Sequence, residues 1–164
     1  MDDKFAAKIS KTFGKKLRIR ICGILIEDDR ILLVKHKGLG KNGFLWSPPG
    51  GEPQFMESME DALKREFFEE TGLLINVSEF LFVNEHLQSP LHAIELFFKV
   101  ERKGGKLVRG KEPETDEINI ISNIDFLDTK RIREIGIENM HSLFSEIQSL
   151  SEIYRLKGLI NKAK

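Results

Sequence analysis

Two stretches of the chain repeat hydrophobic residues at the spacing of an α-helix. In residues 1–16, Phe5, Ile9 and Phe13 lie four apart, which predicts a short amphipathic helix packed on the body, with a frayed tail as the alternative. A second helix, over residues 140–150, is predicted by apolar residues three and four apart: Met140, Leu143, Phe144, Ile147 and Leu150. Each helix is expected to bury one face against the rest of the chain.

In the first third of the chain, apolar residues follow the period of two that is typical of β-strands. Residues 17–25 predict a strand with one buried face, residues 27–30 a turn, and residues 31–34 a strand that pairs back as a hairpin. Trp46 follows a glycine-rich basic loop beside an apolar strand, which favours a place in the core over stacking on a nucleotide base.

Further strands are predicted in the second half. Residues 74–86 and 92–100 predict two strands joined through residues 88–90. The pair Gly104-Gly105 predicts a hairpin turn, and residues 118–124 predict another strand. Strands before, between and after helices indicate an α+β fold with a mixed sheet.

The stretch 51–73 predicts a helix with well-marked ends. Ser58 is a good N-cap, and Asp61 three residues later can complete a capping box. Residues 59–70 contain neither Gly nor Pro, and Gly72 suits the left-handed position that ends a helix. The pattern therefore predicts about three turns of helix.

Three carboxylates share one face of this predicted helix. Glu66, Glu69 and Glu70 are three and four residues apart, so they are neighbours on the helix surface. The apolar residues that would dock the helix on a core form a stripe beside them: Met59, Leu63 and Phe67. Carboxylates this close repel one another unless something neutralises them.

A hard divalent cation with oxygen ligands, such as Mg²⁺, resolves this repulsion. Lys64 and Arg65 supply positive charge but are predicted to lie away from the centre of the acidic face. The alternative is a solvated acidic helix face without a ligand. Residues 48–51 (Pro-Pro-Gly-Gly) favour the metal site, because this loop would present backbone carbonyls and amides beside the same face.

Composition narrows the remaining classes of protein. The 164 residues suffice for one domain, and 26 basic residues balance 26 acidic ones, which gives no general attraction to nucleic acid. The single cysteine excludes an internal disulfide framework and a cysteine-cluster zinc site. No stretch approaches the ~20 apolar residues of a membrane span, and the first residues lack a signal-peptide layout. A cytoplasmic protein without membrane association is expected.

The order of residues in the 51–73 stretch resembles the signature of the Nudix hydrolase family. Every defining position is matched: Gly51, Glu57, Arg65, Glu66, Phe67, Glu69, Glu70, Gly72 and Leu73. Chance would produce this order about once in ten million such chains. Two residues depart from the usual pattern, since Phe67 is bulkier than the common aliphatic residue and Pro48 stands where Leu is more usual.

The resemblance implies a Mg²⁺- or Mn²⁺-dependent pyrophosphohydrolase. The metal ligands it implies are the carbonyl of Gly50 and the carboxylates of Glu66, Glu69 and Glu70. Glu66 is alternatively the base, oriented by Arg65, and Glu57 would assist at the start of the helix. Many family members place one more Glu in a downstream loop; Glu117 is the first candidate for this base or ligand and Glu114 the second, against an ordinary acidic loop.

The resemblance also implies an α/β/α sandwich with a mixed sheet. It assigns the hydrolase domain to residues 17–150, after an N-terminal extension of residues 1–16. The tail, residues 151–164, keeps apolar side chains that would pack on the domain or on a second subunit, which would make a homodimer.

A segment about fifteen to eighteen residues beyond the signature often tracks the substrate in this family. There, Tyr goes with diadenosine polyphosphates, and Pro near the start of the segment goes with ADP-ribose. This chain reads Gln-Ser-Pro-Leu over residues 88–91, with no Tyr, and Pro90 falls about two residues later than the ADP-ribose pattern. The resemblance thus favours ADP-ribose or a similar sugar-linked nucleoside diphosphate, with nucleoside triphosphates second.

Two rival functions belong to other classes. One is a Nudix-fold module that senses a nucleotide without hydrolysing it, and the other is a protein that only binds partner proteins. Loss of a signature carboxylate would favour the sensing module, and none is lost. A pure interaction protein accounts poorly for the acidic helix face.

Overall fold

The computed structural model describes residues 3–110 and 119–160, and Glu114 and Glu117 lie outside these ranges. Helices and strands follow one another in this order: α1 (Asp3–Phe13), β1 (Leu17–Ile24), β2 (Ile26–Glu27), β3 (Arg30–Lys37), β4 (Phe44–Ser47), β5 (Gly50–Gly51), α2 (Met59–Thr71), β6 (Leu73–Gln88), β7 (Leu91–Gly105), β8 (Ile121–Leu127), α3 (Thr129–Ile135) and β9 (Gly158–Ile160). Three short 3₁₀ turns lie between α3 and β9: Ile137–Asn139, Ser142–Glu146 and Leu150–Arg155.

The strands form two sheets. The larger sheet is mixed, in the order β5-β1-β7-β6-β9, with β1 parallel to β7 and β6 parallel to β9. The long antiparallel pair of β6 and β7 turns between Gln88 and Leu91, as predicted. In the smaller antiparallel sheet, β3 pairs with β2, β4 and β8. The predicted α+β class with a mixed sheet is confirmed.

The larger sheet has a hydrophobic cluster on each face. Between the sheets, Phe82 stacks on Phe97 with ring centroids 4.7 Å apart, and Trp46 is buried in the same cluster, which confirms its predicted place in the core. On the other face, α2 packs through Leu63 and Phe67. Gly23 permits this approach, since a Cβ there would lie 2.5 Å from Phe67 Cε2.

The predicted N-terminal helix is confirmed. Ile9 and Phe13 of α1 are buried in a small cluster with Ile120, so the helix packs on the body. The guanidinium of Arg18 lies 4.4 Å from the centre of the Phe13 ring, which adds a cation–π contact where the helix leads into β1.

The predicted hairpin between residues 17–25 and 31–34 is wrong beyond its turn. β1 and β3 belong to different sheets, and the chain pairs back on β3 through the two residues of β2 and a hydrogen bond from Leu32 N to Leu25 O at 3.0 Å. The turn itself is present, with positive φ at Asp28 and Asp29. Residues 21–25 and 31–34 are buried on both faces, so a period of two could not identify their partners.

The predicted hairpin turn at Gly104-Gly105 is also wrong. Both residues pair with the start of β6, so β7 continues through them to its end. Gly105 adopts a φ of 82°, and a Cβ there would lie 2.3 Å from the carbonyl oxygen of Gly72. Gly105 is therefore needed for a close approach of backbones. The last predicted strand begins later, at Ile121, and continues to Leu127.

The predicted amphipathic helix over residues 140–150 is wrong as well. The segment forms two 3₁₀ turns around an extended Ile147, although Leu143, Phe144 and Leu150 are buried as expected. His141 holds the first turn, because its Nδ1 accepts a hydrogen bond from Leu143 N at 3.1 Å and its backbone N donates to Trp46 O at 2.8 Å. Contact with β4 therefore determines this path.

Candidate active site

Helix α2 begins and ends as its sequence predicts. The Oγ of Ser58 accepts a hydrogen bond from Asp61 N at 3.1 Å and donates to Asp61 Oδ2 at 2.8 Å. Gly72 closes the helix with a φ of 74°. Phe67 is fully buried, whereas Met59 in the first turn is 50% exposed and does not belong to the predicted apolar stripe. The helix is thus fixed at both ends and along one side.

Arg65 lies among the carboxylates of α2, contrary to the prediction that it would lie away from them. Its Nε and Nη2 form a two-pronged contact with Glu57, at 2.8 and 2.9 Å. Its Nη1 donates to Glu66 Oε1 at 2.7 Å and to Glu69 Oε2 at 3.1 Å. The guanidinium also donates to the carbonyl of Glu52 at 3.1 Å. One planar cation therefore orders three carboxylates and the preceding loop.

The pKa values of two residues in this group reflect the contacts. The hydrogen bond from Arg65 lowers the pKa of Glu57 to about 2. In return, the hydrogen bond to Glu57 raises the pKa of the Arg65 guanidinium, with Glu66 adding to the effect. Glu57 is thus ionised throughout the physiological range and holds the guanidinium in place.

Burial disfavours the charged form of Glu66. Its side chain is 3% exposed, and burial raises its pKa to about 7; the charges of Glu70 and Glu69 add to this rise, while Arg65 opposes it. Its carboxyl group lies directly against Gly51, where a Cβ would come within 2.3 Å of Glu66 Cδ. A carboxyl group with a pKa near 7 can accept and return a proton at neutral pH.

Glu70 faces the same loop from the next turn of the helix. It is 1% exposed, and its Oε2 accepts a hydrogen bond from Gly50 N at 3.0 Å. Nε2 of the buried His36 lies 3.9 Å from Glu70 Oε1. Gly50 cannot carry a side chain, because its φ is 153° and a Cβ would lie 2.2 Å from Ile21 O. The loop backbone therefore fits closely between α2 and β1.

A second charged cluster lies on the other side of Gly50. Nη2 of Arg20 donates to the Gly50 carbonyl at 2.9 Å, and Nη1 donates to Glu95 Oε1 at 3.3 Å. Glu95 Oε2 contacts Asn84 Nδ2 and His141 Nε2, each at 2.7 Å. Burial acts to raise the pKa of Glu95, but the His141 contact, Arg20 and Asn84 outweigh burial and hold it well below its usual range.

A wide pocket of about 1,090 Å³ opens beside this second cluster. A narrow recess that reaches Arg20 and Glu95 continues from it, and His86 and His141 line both cavities. Burial lowers the pKa of His86, which favours a neutral imidazole there. No described carboxylate of α2 lines the wide pocket, so Gly50 and Arg20 form the connection between the two regions.

The structure brings most of the predicted site residues together. Glu57, Arg65, Glu66 and Glu69 form one connected group, and Glu70 contacts Gly50 from the same helix. The sequence analysis missed the second cluster: Arg20, Asn84, Glu95 and His141. One signal was present, since Arg20 and Glu95 each stand between two apolar residues of a strand.

The donor chemistry of this face fits a hard divalent cation. Two nearly buried carboxylates, Glu66 and Glu70, lie beside Glu69 and a backbone carbonyl, and Mg²⁺ and Mn²⁺ prefer such oxygen ligands. In residues 3–110 and 119–160, no three carboxylate, imidazole or thiol groups already converge as a metal cluster. The carbonyl of Gly50 also accepts a hydrogen bond from Arg20. Side chains would therefore have to turn to close a metal site.

Comparison with known proteins identifies the class. The family model described as NUDIX domain matches residues 16–140, well over half of the chain. The chain therefore belongs to the Nudix hydrolase family, whose members use divalent metals and act on nucleoside diphosphate derivatives. Over the part of the chain that the structure describes, no helix has the length and apolar character needed to cross a membrane.

Individual relatives support this assignment. A protein named ADP-ribose pyrophosphatase from Methanocaldococcus jannaschii is 33% identical over 121 residues, which are 71% of each chain. A Nudix hydrolase from Nitrosomonas europaea shares the fold at 18% identity, with a TM-score of 0.67 over 85% of this chain and 89% of that one. An ADP-ribose pyrophosphatase from Streptococcus suis is also 18% identical, with a TM-score of 0.60 over 87% and 98%. The two structural matches show the fold alone.

Proposed function

We propose that this protein hydrolyses the diphosphate linkage of a sugar-linked nucleoside diphosphate, with ADP-ribose as its preferred substrate, in the presence of Mg²⁺ or Mn²⁺. The main observation that supports this reaction concerns Glu66. It is a buried carboxyl group with a pKa of about 7 that lies against Gly51 and accepts a hydrogen bond from Arg65. An acidic helix face that binds no ligand would expose its carboxylates to water instead of burying two of them.

The proposed reaction balances as a hydrolysis. The oxygen of a water molecule forms a bond to one phosphorus, the bridging P–O bond breaks, and the bridging oxygen leaves on the other phosphate. ADP-ribose would thus yield AMP and ribose 5-phosphate. A carboxylate accepts the proton lost by the attacking water, and we assign this role to Glu66 because its pKa of about 7 suits a general base at neutral pH.

Arg65 and Glu57 would act by position. Arg65 holds Glu66 and Glu69 at 2.7 and 3.1 Å, and Glu57 holds Arg65 through two contacts. Rotation of Glu66 away from the attacking water would slow the reaction, because proton transfer needs a short and aligned contact between the base and that water. These two residues therefore keep the proposed base aligned.

The residues proposed to hold the metal are the carboxylates of Glu69 and Glu70 and the carbonyl of Gly50, with Glu66 as a further ligand in the alternative in which it is not the base. When bound, the cation would neutralise the diphosphate and polarise its phosphorus atoms. Outside the described residues, Glu117 and then Glu114 are proposed as an additional base or ligand.

The wide pocket supports the choice of a sugar-linked substrate. Three carboxylates, Glu85, Glu138 and Glu146, line it together with one lysine, Lys41. Carboxylates accept hydrogen bonds from sugar hydroxyls but repel an additional phosphate, so this lining favours a terminal ribose over a triphosphate chain. The name of the relative from M. jannaschii agrees with this choice. Pro90, the residue that suggested ADP-ribose, also lines the pocket.

The proposal is tested by comparing kcat/KM for ADP-ribose, other nucleoside diphosphate sugars and the common nucleoside triphosphates at fixed Mg²⁺. We expect ADP-ribose to be preferred over every triphosphate by at least about tenfold, or ~1.4 kcal/mol in transition-state binding. A triphosphate preferred by the same margin would overturn the substrate proposal. Binding without turnover of any compound would instead support a sensing module.

A further inference from the structure

A continuous series of polar contacts connects α2 with the wall of the wide pocket. Glu70 Oε2 accepts from Gly50 N at 3.0 Å, and the carbonyl of Gly50 accepts from Arg20 Nη2 at 2.9 Å. Arg20 Nη1 donates to Glu95 Oε1 at 3.3 Å, and Glu95 Oε2 lies 2.7 Å from His141 Nε2. The backbone of Gly50 is therefore held at its N–H by Glu70 and at its carbonyl by Arg20.

The members of this series are almost entirely buried and come from distant parts of the chain. The side chains of Glu95 and His141 are each 4% exposed, and that of Arg20 is 16% exposed. Burying an ion pair usually gains little stability over apolar residues of the same size. Geometric placement is therefore a better explanation than stability for a charged pair in this position.

The orientation of His141 fixes the direction of its contact. Its Nδ1 accepts from Leu143 N, so the ring proton lies on Nε2 and is donated to Glu95. The backbone N of His141 is bonded to Trp46 O, which ties the residue to β4. His141 and its neighbours Met140 and Ser142 form part of the pocket wall, so the series ends at the surface that substrate would contact.

Gly50 has little freedom to adapt if Arg20 moves. Its Cα lies close against β1, since a Cβ added there would lie 2.2 Å from Ile21 O. Arg20 lies on the same strand, two residues before Cys22, which pairs with Gly50. A shift of the guanidinium would therefore weaken its contact with the Gly50 carbonyl, because Gly50 cannot follow it.

We propose that Arg20 and Glu95 are positioning residues for the reaction. Together they hold the backbone of Gly50 in place beside Glu70, and they link Gly50 to the pocket wall at His141. Neither residue is assigned a contact with the reacting atoms. This inference rests on the proposed function for its kinetic test, while its metal-binding test is independent of turnover.

The first test is Glu95→Gln, which keeps the size of the side chain and removes its charge. Loss of a supporting hydrogen-bond partner typically costs about 10- to 100-fold in activity or metal affinity. We expect kcat to fall by that factor while KM changes by less than about threefold. The matched control is Glu79→Gln. Glu79 lies on β6 and forms an exposed ion pair with Lys157, and removing its charge should leave kcat unchanged.

Arg20→Lys provides a second variant that does not depend on the folding of the first. Lysine keeps the positive charge beside Glu95 but lacks the fork that contacts Glu95 and the Gly50 carbonyl together. We expect a loss of kcat similar to that of Glu95→Gln. The double variant should lose no more than about twofold beyond the worse single variant, because both changes break one connection. Losses that add in the double variant would overturn the proposal.

Mn²⁺ binding, measured without substrate from the electron paramagnetic resonance signal of the free ion, separates this inference from the proposed function. We expect each variant to bind Mn²⁺ about tenfold more weakly than the wild type or Glu79→Gln. Lower melting temperatures with unchanged kcat and Mn²⁺ affinity would show a purely structural role and overturn the proposal. A change confined to KM would indicate direct substrate contact and would also overturn it. A wild type that hydrolyses none of the panel would refute the proposed function, while the Mn²⁺ comparison would still decide the positioning role.

Discussion

Two arginines near Gly50 contact buried or half-buried carboxylates, but their partners come from different parts of the chain. Arg65 contacts Glu57, Glu66 and Glu69, all within eight residues of it in the chain. Arg20 contacts Glu95, which is 75 residues away and on another strand. The first group needs only α2 and the loop just before it, whereas the second needs the pairing of β1 with β7 in the larger sheet.

The two groups also differ in what the sequence reveals about them. Spacing along one helix shows that Glu66, Glu69 and Glu70 share a face, so their chemistry can be inferred before the structure is known. A single Arg and a single Glu in distant strands carry no such spacing. The difference teaches that the proposed reacting groups are close together in the sequence, while the residues proposed to align them with the pocket are far apart in it.

Glu70→Gln should produce the largest effect if the helix face carries the reaction. We expect kcat to fall by at least about 10³-fold, equivalent to ~4 kcal/mol, because a proposed metal ligand is lost. Metal-free thermal stability should hold or rise, since one buried charge is removed from a crowded face. The measurements are steady-state kinetics and thermal melts in chelator.

The control is Glu60→Gln, an exposed carboxylate on the same helix that pairs with Lys64. It should match the wild type in both measurements. A Glu70→Gln protein that does not fold would show that Glu70 is a structural residue. The comparison of α2 as the reacting group with the Arg20 cluster as the positioning group would then lose its basis.

The raised pKa of Glu66 predicts how stability varies with pH in the metal-free protein. Between its ordinary value of 4.5 and about 7, the folded protein retains a proton that the unfolded chain has released. The contribution of this group to the free energy of unfolding is therefore fully present below pH 4.5 and is lost as pH rises through 7. The change amounts to roughly 3 kcal/mol.

The measurement is the free energy of unfolding of the wild type minus that of Glu66→Gln at pH 5 and at pH 8, in chelator. Subtraction removes the contributions of other groups such as His86, whose lowered pKa acts in the opposite direction. A difference that stays constant with pH would contradict the raised pKa of Glu66. Added Mg²⁺ should reduce the pH dependence, because a cation favours the ionised carboxylate.

Arg65→Lys tests whether the local group depends on the shape of its cation. Lysine keeps the charge but cannot contact both oxygens of Glu57 while also reaching Glu66 and Glu69. We expect kcat to fall by about 10²-fold, or ~2.7 kcal/mol, through misalignment of Glu66. Lys64→Ala, the neighbouring exposed cation, is the control. Equal kinetics for Arg65→Lys and wild type would exclude an aligning role.

Gly51→Ala should have the smallest of these effects. The added methyl group would lie 2.3 Å from Glu66 Cδ and must push the carboxyl group aside. We expect about a tenfold loss of kcat, because the Glu66 side chain can move away from the methyl group but is then displaced from its position against residue 51. Gly104→Ala is a matched control, since its nearest neighbour would be Leu74 Cδ1 at 3.9 Å. Comparable losses in both variants would show that the Glu66 contact is unimportant.

The sequence predicted the parts of the fold that depend on neighbouring residues. Helix α2 was predictable because Ser58 and Gly72 mark its ends and the residues between them favour a helix. The path after α3 was not, because the backbone bond between His141 and Trp46 breaks the helical period that the apolar residues suggest. Helix α3 was missed although Asp128 caps it, with Oδ1 2.7 Å from Arg131 N.

The candidate site shows the same division. The carboxylates of α2 follow from spacing, but the place of Arg65 among them depends on how the loop with Glu52 and Glu57 folds back over the helix. In the sequence, Arg20 is one polar position of the strand predicted over residues 17–25. Only the parallel pairing of β1 with β7, in which Arg20 lies opposite Glu95, brings it to a buried carboxylate.

The most direct test of the account follows the products formed from ADP-ribose by the wild-type protein as Mg²⁺ is added to a chelated sample. The account predicts no turnover in excess chelator, followed by equal amounts of AMP and ribose 5-phosphate that increase with free Mg²⁺ until the site is saturated. Undiminished turnover in excess chelator, or products other than this equimolar pair, would contradict the proposed cleavage of the diphosphate by the α2 carboxylates.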